Sequence, residues 1–62
     1  MTLEKAKEIL KERHDLELVD MYHERDLTKP AYWIATSERG GIVAEGPRWH
    51  DVFAAVTGEA PI

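Results

Sequence analysis

Histidine and carboxylate residues are the side chains of this sequence that could support metal binding or acid–base catalysis. Each of the three His is followed directly by an acid, in the pairs His14-Asp15, His23-Glu24 and His50-Asp51. Adjacent side chains point to opposite faces of a strand and lie about 100° apart around a helix, so the two members of a pair do not converge on one site. No two His have the i, i+4 spacing of a helical zinc site. We therefore predict no metal and no other cofactor; a small metal-dependent enzyme built on these His is the third hypothesis for function.

Nucleophilic catalysis lacks its usual residues. The chain has no Cys, and its single serine, Ser37, stands beside a glycine turn. Gly40-Gly41 is not followed by the Lys-Ser/Thr of a phosphate-binding loop. A core built from 62 residues also leaves little room for a ligand cavity of ~300–1,000 Å³. We predict that the protein is not an enzyme.

Acidic residues are concentrated in one segment. The chain has 12 acids and 8 bases, a formal net charge of −4. Residues 12–26 hold six of the acids and only two Arg, so this segment accounts for the whole net charge. A row of carboxylates fits a partner with a basic groove, such as one that binds nucleic-acid phosphates. It can also keep a small domain in solution or protect an edge strand from pairing.

The predicted partner-binding residues are the acids of this segment with Tyr22 as an aromatic anchor. They are Glu12, Asp15, Glu17, Asp20, Tyr22, Glu24 and Asp26. Direct binding of nucleic acid is not expected, because Lys5, Lys7 and Lys11 alternate with Glu residues and give no basic face. The first hypothesis is a non-enzymatic inhibitor or protein-binding module, as a monomer or weak homodimer. The second is a structural or regulatory subunit that associates through an uncovered sheet face or an exposed strand edge.

Two helical stripes and a glycine turn indicate how these residues are positioned. Leu3, Ala6, Ile9 and Leu10 predict a helix over residues 2–13 with Thr2 as its N-cap. Residues 16–24 read as a strand whose apolar alternation is imperfect, which a bulge or apolar residues on both faces would explain. Residues 31–37 and 42–45 read as two strands joined by the turn at 38–41.

The last predicted element is a second helix. Trp49, Val52, Phe53 and Val56 form its apolar stripe, Pro47 fits its first turn and Gly58 its C-terminal end. The fold class is therefore α+β, with the order α-β-β-β-α. We expect a three-stranded antiparallel meander with both helices packed on one face, with Trp33, Trp49 and Phe53 in the core and the opposite face in solvent.

Residues 1–62 are expected to form one domain, with a loose tail at 59–62. The N-terminus is charge-rich and has no apolar h-region, and no apolar run approaches the ~20 residues of a membrane helix. We accordingly expect a cytoplasmic protein without membrane association. The sequence identifies neither the partner nor the pathway.

The stretch from Ile42 to Val52 resembles the strand-to-helix passage of HicB-type antitoxins, where a strand runs into a Gly-x-Thr-x-x-Glu-Ala helix start. Gly46 matches that pattern; Arg48, Asp51 and Val52 replace its Thr, Glu and Ala. The family begins with strands, whereas this chain begins with a helix. In size, acidity and absence of Cys, the chain is also similar to phage-encoded inhibitors of the anti-CRISPR type. That similarity implies stoichiometric blocking of a nucleic-acid-handling protein, in some cases by acidic mimicry.

Overall fold

The computed structural model describes residues 1–21, 28 and 31–61, which form two helices and three strands. In chain order these are α1 (Leu3–His14), β1 (Leu16–Met21), β2 (Tyr32–Ser37), β3 (Ile42–Gly46) and α2 (Trp49–Thr57). The strands form one antiparallel sheet in the order β1-β2-β3. The predicted α+β class and element order are confirmed, and β2 is the central strand.

Helix α1 begins and ends where local chemistry favours it. The Thr2 hydroxyl accepts a hydrogen bond from the Lys5 amide at 3.2 Å, as expected of an N-cap. Asp15 ends the helix in the left-handed conformation, with φ of 55°, and its backbone N–H donates to the Leu10 carbonyl. Ala6 and Leu10 are the residues that α1 buries against the sheet.

The hairpin between β2 and β3 follows from Gly40. This residue has φ of +81°, which L side chains rarely adopt, and its amide donates to the Ser37 carbonyl at 2.9 Å. The Ser37 amide in turn donates to the Gly41 carbonyl. A three-residue loop that ends in a left-handed glycine is a common way to close a hairpin.

The strand register explains the imperfect apolar alternation of the first strand. Between Leu16 and Met21, β1 pairs with β2 residue for residue, so β1 contains no bulge there and instead carries apolar residues on both faces. The irregularity lies on β3, where Ala44 pairs with Ala35 but Ile42 pairs with Thr36. Val43 is the extra residue at this bulge. Residues 22–24, predicted to continue the first strand, lie outside the described residues.

Helix α2 starts two residues later than its proline suggests. Arg48, extended at φ −135° and ψ 151°, is the N-cap, so Pro47 precedes the helix and the prediction that it lies in the first turn is wrong. Pro47 favours an extended residue before it, which suits the end of β3. At Gly46, an added Cβ would stand 3.1 Å from Asp51 Cβ, a tighter contact than most Cβ atoms make, so the close approach of strand to helix favours glycine. Gly58 ends the helix as predicted, with φ of 80°.

Both helices pack on the same face of the sheet. Paired residues of antiparallel strands share a face, so Leu18, Ala35 and Ala44 lie on one side. The buried core on this side consists of Ala6, Leu10, Leu16, Leu18, Ala35, Val52 and Phe53. Trp33 and Trp49 are half-buried at its margin, so Phe53 is the aromatic residue of the core proper.

The opposite face is less open than expected. Ile34 pairs with Val19 and therefore lies on the side away from the helices, yet it is only 6 % exposed. As a residue of the central strand, Ile34 has neighbours on both sides: Val19 on β1 and Glu45 on β3. The expectation of a solvent-exposed face therefore does not hold at its centre.

Candidate acidic interface

Four of the seven predicted partner-binding residues lie in the described part of the chain. Glu12 is on α1, Asp15 is the residue that ends it, and Glu17 and Asp20 are on β1. All four are exposed. Tyr22, Glu24 and Asp26 lie outside the described residues.

The two acids on β1 lie on opposite faces of the sheet. Glu17 pairs with Thr36 and shares the helix-free side with Val19 and Ile34. Asp20 pairs with Trp33 and lies on the helix-bearing side. Because β1 is an edge strand, both carboxylates flank the same border of the sheet. Glu17 and Asp20 thus follow an edge and do not cover a flat face.

Asp15 occupies a position that is locally unfavourable for an acid. It is the one non-glycine residue with positive φ in the described part of the chain. Left-handed backbone costs an L residue roughly 1–2 kcal/mol, with Asn and Asp the most tolerant. Its carboxylate also stands at the negative end of the α1 dipole, where a cation is the favoured charge. Nothing in its local backbone therefore favours a carboxylate over glycine.

Glu38 is an acid of this surface that the sequence analysis did not include. It follows Ser37, which pairs with Leu16, so the turn after β2 lies beside the start of β1. Glu38, Asp15 and Glu17 line one small depression of about 30 Å³ together with Lys11, Thr36 and Ser37. The predicted antiparallel meander could have identified Glu38. In a meander, the turn after the second strand lies beside the start of the first strand.

Two lysines of α1 border the acidic surface. Lys7 and Lys11 line a shallow groove of about 280 Å³ with Leu16, Glu17 and Leu18. They do not form ion pairs with the four acids. Across residues 1–21, 28 and 31–61, ion pairs within 4.0 Å join Lys5 to Glu8 at 3.7 Å and Arg48 to Asp51 at 3.5 Å. Glu12, Asp15, Glu17 and Asp20 therefore keep their charge available at the surface.

The His residues are not gathered into a site in the described structure. His14 is exposed at the end of α1, and His50 stacks on Trp49 with ring centroids 3.8 Å apart. His23 lies outside the described residues. Over the described ranges, no group of three His, Asp or Glu side chains is arranged to hold a metal ion.

Neither helix of the described chain has the length and apolar character to cross a lipid bilayer. No protein-family model matches the sequence, and no curated protein and no solved structure matches it either.

Proposed function

We propose that this chain is a non-enzymatic protein-binding module that inserts its acidic edge into a basic groove of a partner protein and so inhibits it. The acidic edge is defined as Glu12, Asp15, Glu17, Asp20 and Glu38. The observation that carries the proposal is that its carboxylates are exposed and that none of them is engaged in an ion pair within the described structure. A partner's Lys and Arg would therefore have no internal ion pair to break.

The shape of the acidic edge favours a groove over a flat surface. Glu17 and Asp20 project from opposite faces of one edge strand, so negative charge flanks a ridge on both sides. A ridge of this kind is complementary to a cleft whose two walls both carry positive charge. Clefts that hold nucleic-acid backbone are lined in this way, because Lys and Arg neutralise the phosphates there.

The competing hypothesis is a structural or regulatory subunit that associates through the uncovered sheet face or an exposed strand edge, and the sheet face gives it little support. Its central residue Ile34 is already buried, and Val19 and Met21 beside it are half-buried. Little apolar area remains at the centre of that face for a partner to cover. Protein interfaces gain most of their affinity from such central, fully desolvated contacts.

The test compares two variants that lose the same charge at different places. E17Q/D20N removes two of the five carboxylates of the acidic edge, whereas E4Q/E59Q removes two exposed carboxylates outside it. A short arginine-rich peptide serves as the probe, and the readout is amide chemical-shift mapping by NMR at low salt. We expect shifts around residues 12–20 and 38, and an affinity about three- to tenfold lower for E17Q/D20N than for E4Q/E59Q.

Equal affinities for the two variants would contradict the proposal, because the peptide would then sense net charge alone. The same pair of variants extends the test to natural partners. Capture from a cell lysate at low salt and at ~0.5 M salt should yield a protein that wild type and E4Q/E59Q retain and that E17Q/D20N loses. Retention by all three proteins would show that the acidic edge is not the contact.

A further inference from the structure

Asp20 of the acidic edge stands directly beside a tryptophan. It pairs with Trp33 across β1 and β2, and paired side chains lie on the same face with Cβ atoms ~4.5–5.5 Å apart. The next pair along this helix-bearing face, Leu18 and Ala35, is buried, with exposures of 4 % and 0 %. Trp33 is half-buried and Asp20 is exposed, so the core ends at this indole and this carboxylate. We call Asp20 and Trp33 the edge pair.

The second tryptophan has surroundings that are already occupied. Trp49 is also half-buried, and the His50 ring stacks on it with centroids 3.8 Å apart. The nearby carboxylate of Asp51 forms an ion pair with the Arg48 guanidinium at 3.5 Å. In the described part of the chain, neither a stacked ring nor an ion pair occupies the edge pair. Its indole and its carboxylate are therefore both available to a ligand.

A guanidinium group can use both members of the edge pair at once. Its planar and weakly hydrated surface stacks on aromatic rings, and its fork of N–H donors binds a carboxylate through two hydrogen bonds. A lysine ammonium is a compact, strongly hydrated charge. It would gain the ion pair with Asp20 but less from the indole of Trp33.

We infer that the edge pair is a subsite for an arginine side chain of the partner, whose guanidinium pairs with the Asp20 carboxylate and stacks on Trp33. The inference rests on the proposed function and specifies its partner: the basic groove that receives the acidic edge carries an arginine at this position. A cation–π contact at an exposed site strengthens binding by about two- to fivefold. The subsite therefore selects arginine over lysine by a factor of this size.

The edge pair is separate from the other carboxylates of the acidic edge. Asp15, Glu17 and Glu38 line one depression with Lys11, beside the start of β1. Asp20 is near the other end of this strand and does not line that depression. Selection of arginine at the edge pair can therefore be measured separately from the attraction of the whole edge for positive charge.

The test uses two peptides of equal length and charge, hexaarginine and hexalysine, titrated at low salt. We expect wild type to bind hexaarginine more tightly than hexalysine, and the ratio of the two affinities to fall about two- to fivefold in W33L. W49L removes the same atoms from the other half-buried tryptophan and should leave this ratio unchanged.

A second measurement needs no variant that could disturb the core. The chain has two tryptophans, so wild type has two indole N–H signals in its NMR spectrum, which W49F assigns. We expect the Nε1–H signal of Trp33 to shift with hexaarginine and to shift less with hexalysine. The signal of Trp49 should stay in place with both peptides.

The proposed function and the arginine subsite fail in different ways. If E17Q/D20N and E4Q/E59Q bound both peptides equally well, the proposed function would be wrong and the inference would fall with it. If E17Q/D20N bound them more weakly but W33L kept the wild-type ratio, the acidic edge would bind basic partners without an arginine subsite. An unshifted Trp33 signal at saturating hexaarginine would overturn the inference in the same way.

Discussion

At the scale of single residues, Asp15 is the position where the demands of stability and of binding differ most. Stability favours glycine there, whereas binding to a basic partner would use the carboxylate. Its backbone must adopt φ of 55° to end α1, and its carboxylate faces the negative end of the helix dipole. Both features favour glycine at this position on stability grounds alone. An acid there is therefore informative about the surface, because the fold itself gains nothing from the charge.

We predict that D15G is more stable than D15A by about 1 kcal/mol. Both variants remove the charge, but only glycine relieves the left-handed backbone. Urea unfolding followed by far-ultraviolet circular dichroism measures the difference. If the acidic edge binds basic partners, D15G should at the same time bind the arginine-rich peptide more weakly than wild type. Equal stability of D15G and D15A would show that the backbone at residue 15 is unstrained.

At the scale of elements, α1 depends on very few buried residues. Only Ala6 and Leu10 of this helix are buried, and the charged residues around them are exposed. The packing of α1 on β1 in turn sets where Glu12 and Asp15 stand relative to Glu17. A change in the packing of α1 would therefore also change the geometry of the acidic edge.

We predict that L10A destabilises the protein by about 3 kcal/mol, since Leu10 is 0 % exposed and its deletion leaves a cavity. L3A deletes the same atoms from the same helix at a half-buried position, so it should cost at least about 1 kcal/mol less. Denaturant midpoints of the two variants test this. In a domain of this size, the loss at Leu10 is a large part of the total stability. A similar cost for both variants would indicate that α1 packs differently from the described arrangement.

Those elements whose ends are encoded locally were predictable from the sequence. The N-cap at Thr2, the left-handed Gly40 and the C-terminal Gly58 each act through a hydrogen bond or dihedral angle within a few residues. The apolar stripes then assigned both helices to one face of the sheet. The predicted start of α2 was two residues too early. Pro47 is compatible both with a first helical turn and with the extended backbone before the N-cap.

Features that depend on strand register were not predictable. The apolar pattern of residues 16–21 is compatible with a bulge or with two apolar faces, and only the pairing with β2 distinguishes them. Likewise, Glu38 joins Asp15 and Glu17 through the hairpin, over twenty residues along the chain. The division of Glu17 and Asp20 between the two faces depends on the same register, and it is what makes the acidic surface a ridge.

At the scale of the whole molecule, the two borders of one sheet differ in chemistry. The β1 border carries carboxylates on both faces, and the β3 border carries Ile42 and Val43. Strand order alone keeps these surfaces apart, because β2 lies between them. The exposed carboxylates and the exposed apolar side chains thus lie at opposite borders of the described sheet.

Of the two lysines that border the acidic edge, Lys11 reduces its negative electrostatic potential most. Lys11 lines both depressions that include Glu17, and one of these also includes Asp15 and Glu38. We predict that K11Q binds the arginine-rich peptide about two- to threefold more tightly at low salt, the effect of removing one repulsive charge from an exposed contact. K5Q makes the same change in net charge on the same helix, beside Glu8, and should alter the affinity less.

The direction of the change in affinity distinguishes an electrostatic effect of K11Q from a loss of structure. A substitution that merely loosened the fold would weaken binding, whereas K11Q should strengthen it while E17Q/D20N weakens it. Both effects should shrink at ~0.5 M salt, where the Debye length falls to a few ångström. Isothermal titration calorimetry at the two salt concentrations measures all four proteins. If K11Q and K5Q changed the affinity equally, the peptide would be responding to total charge, and the edge formed by α1, β1 and the hairpin turn would have no special part in recognition.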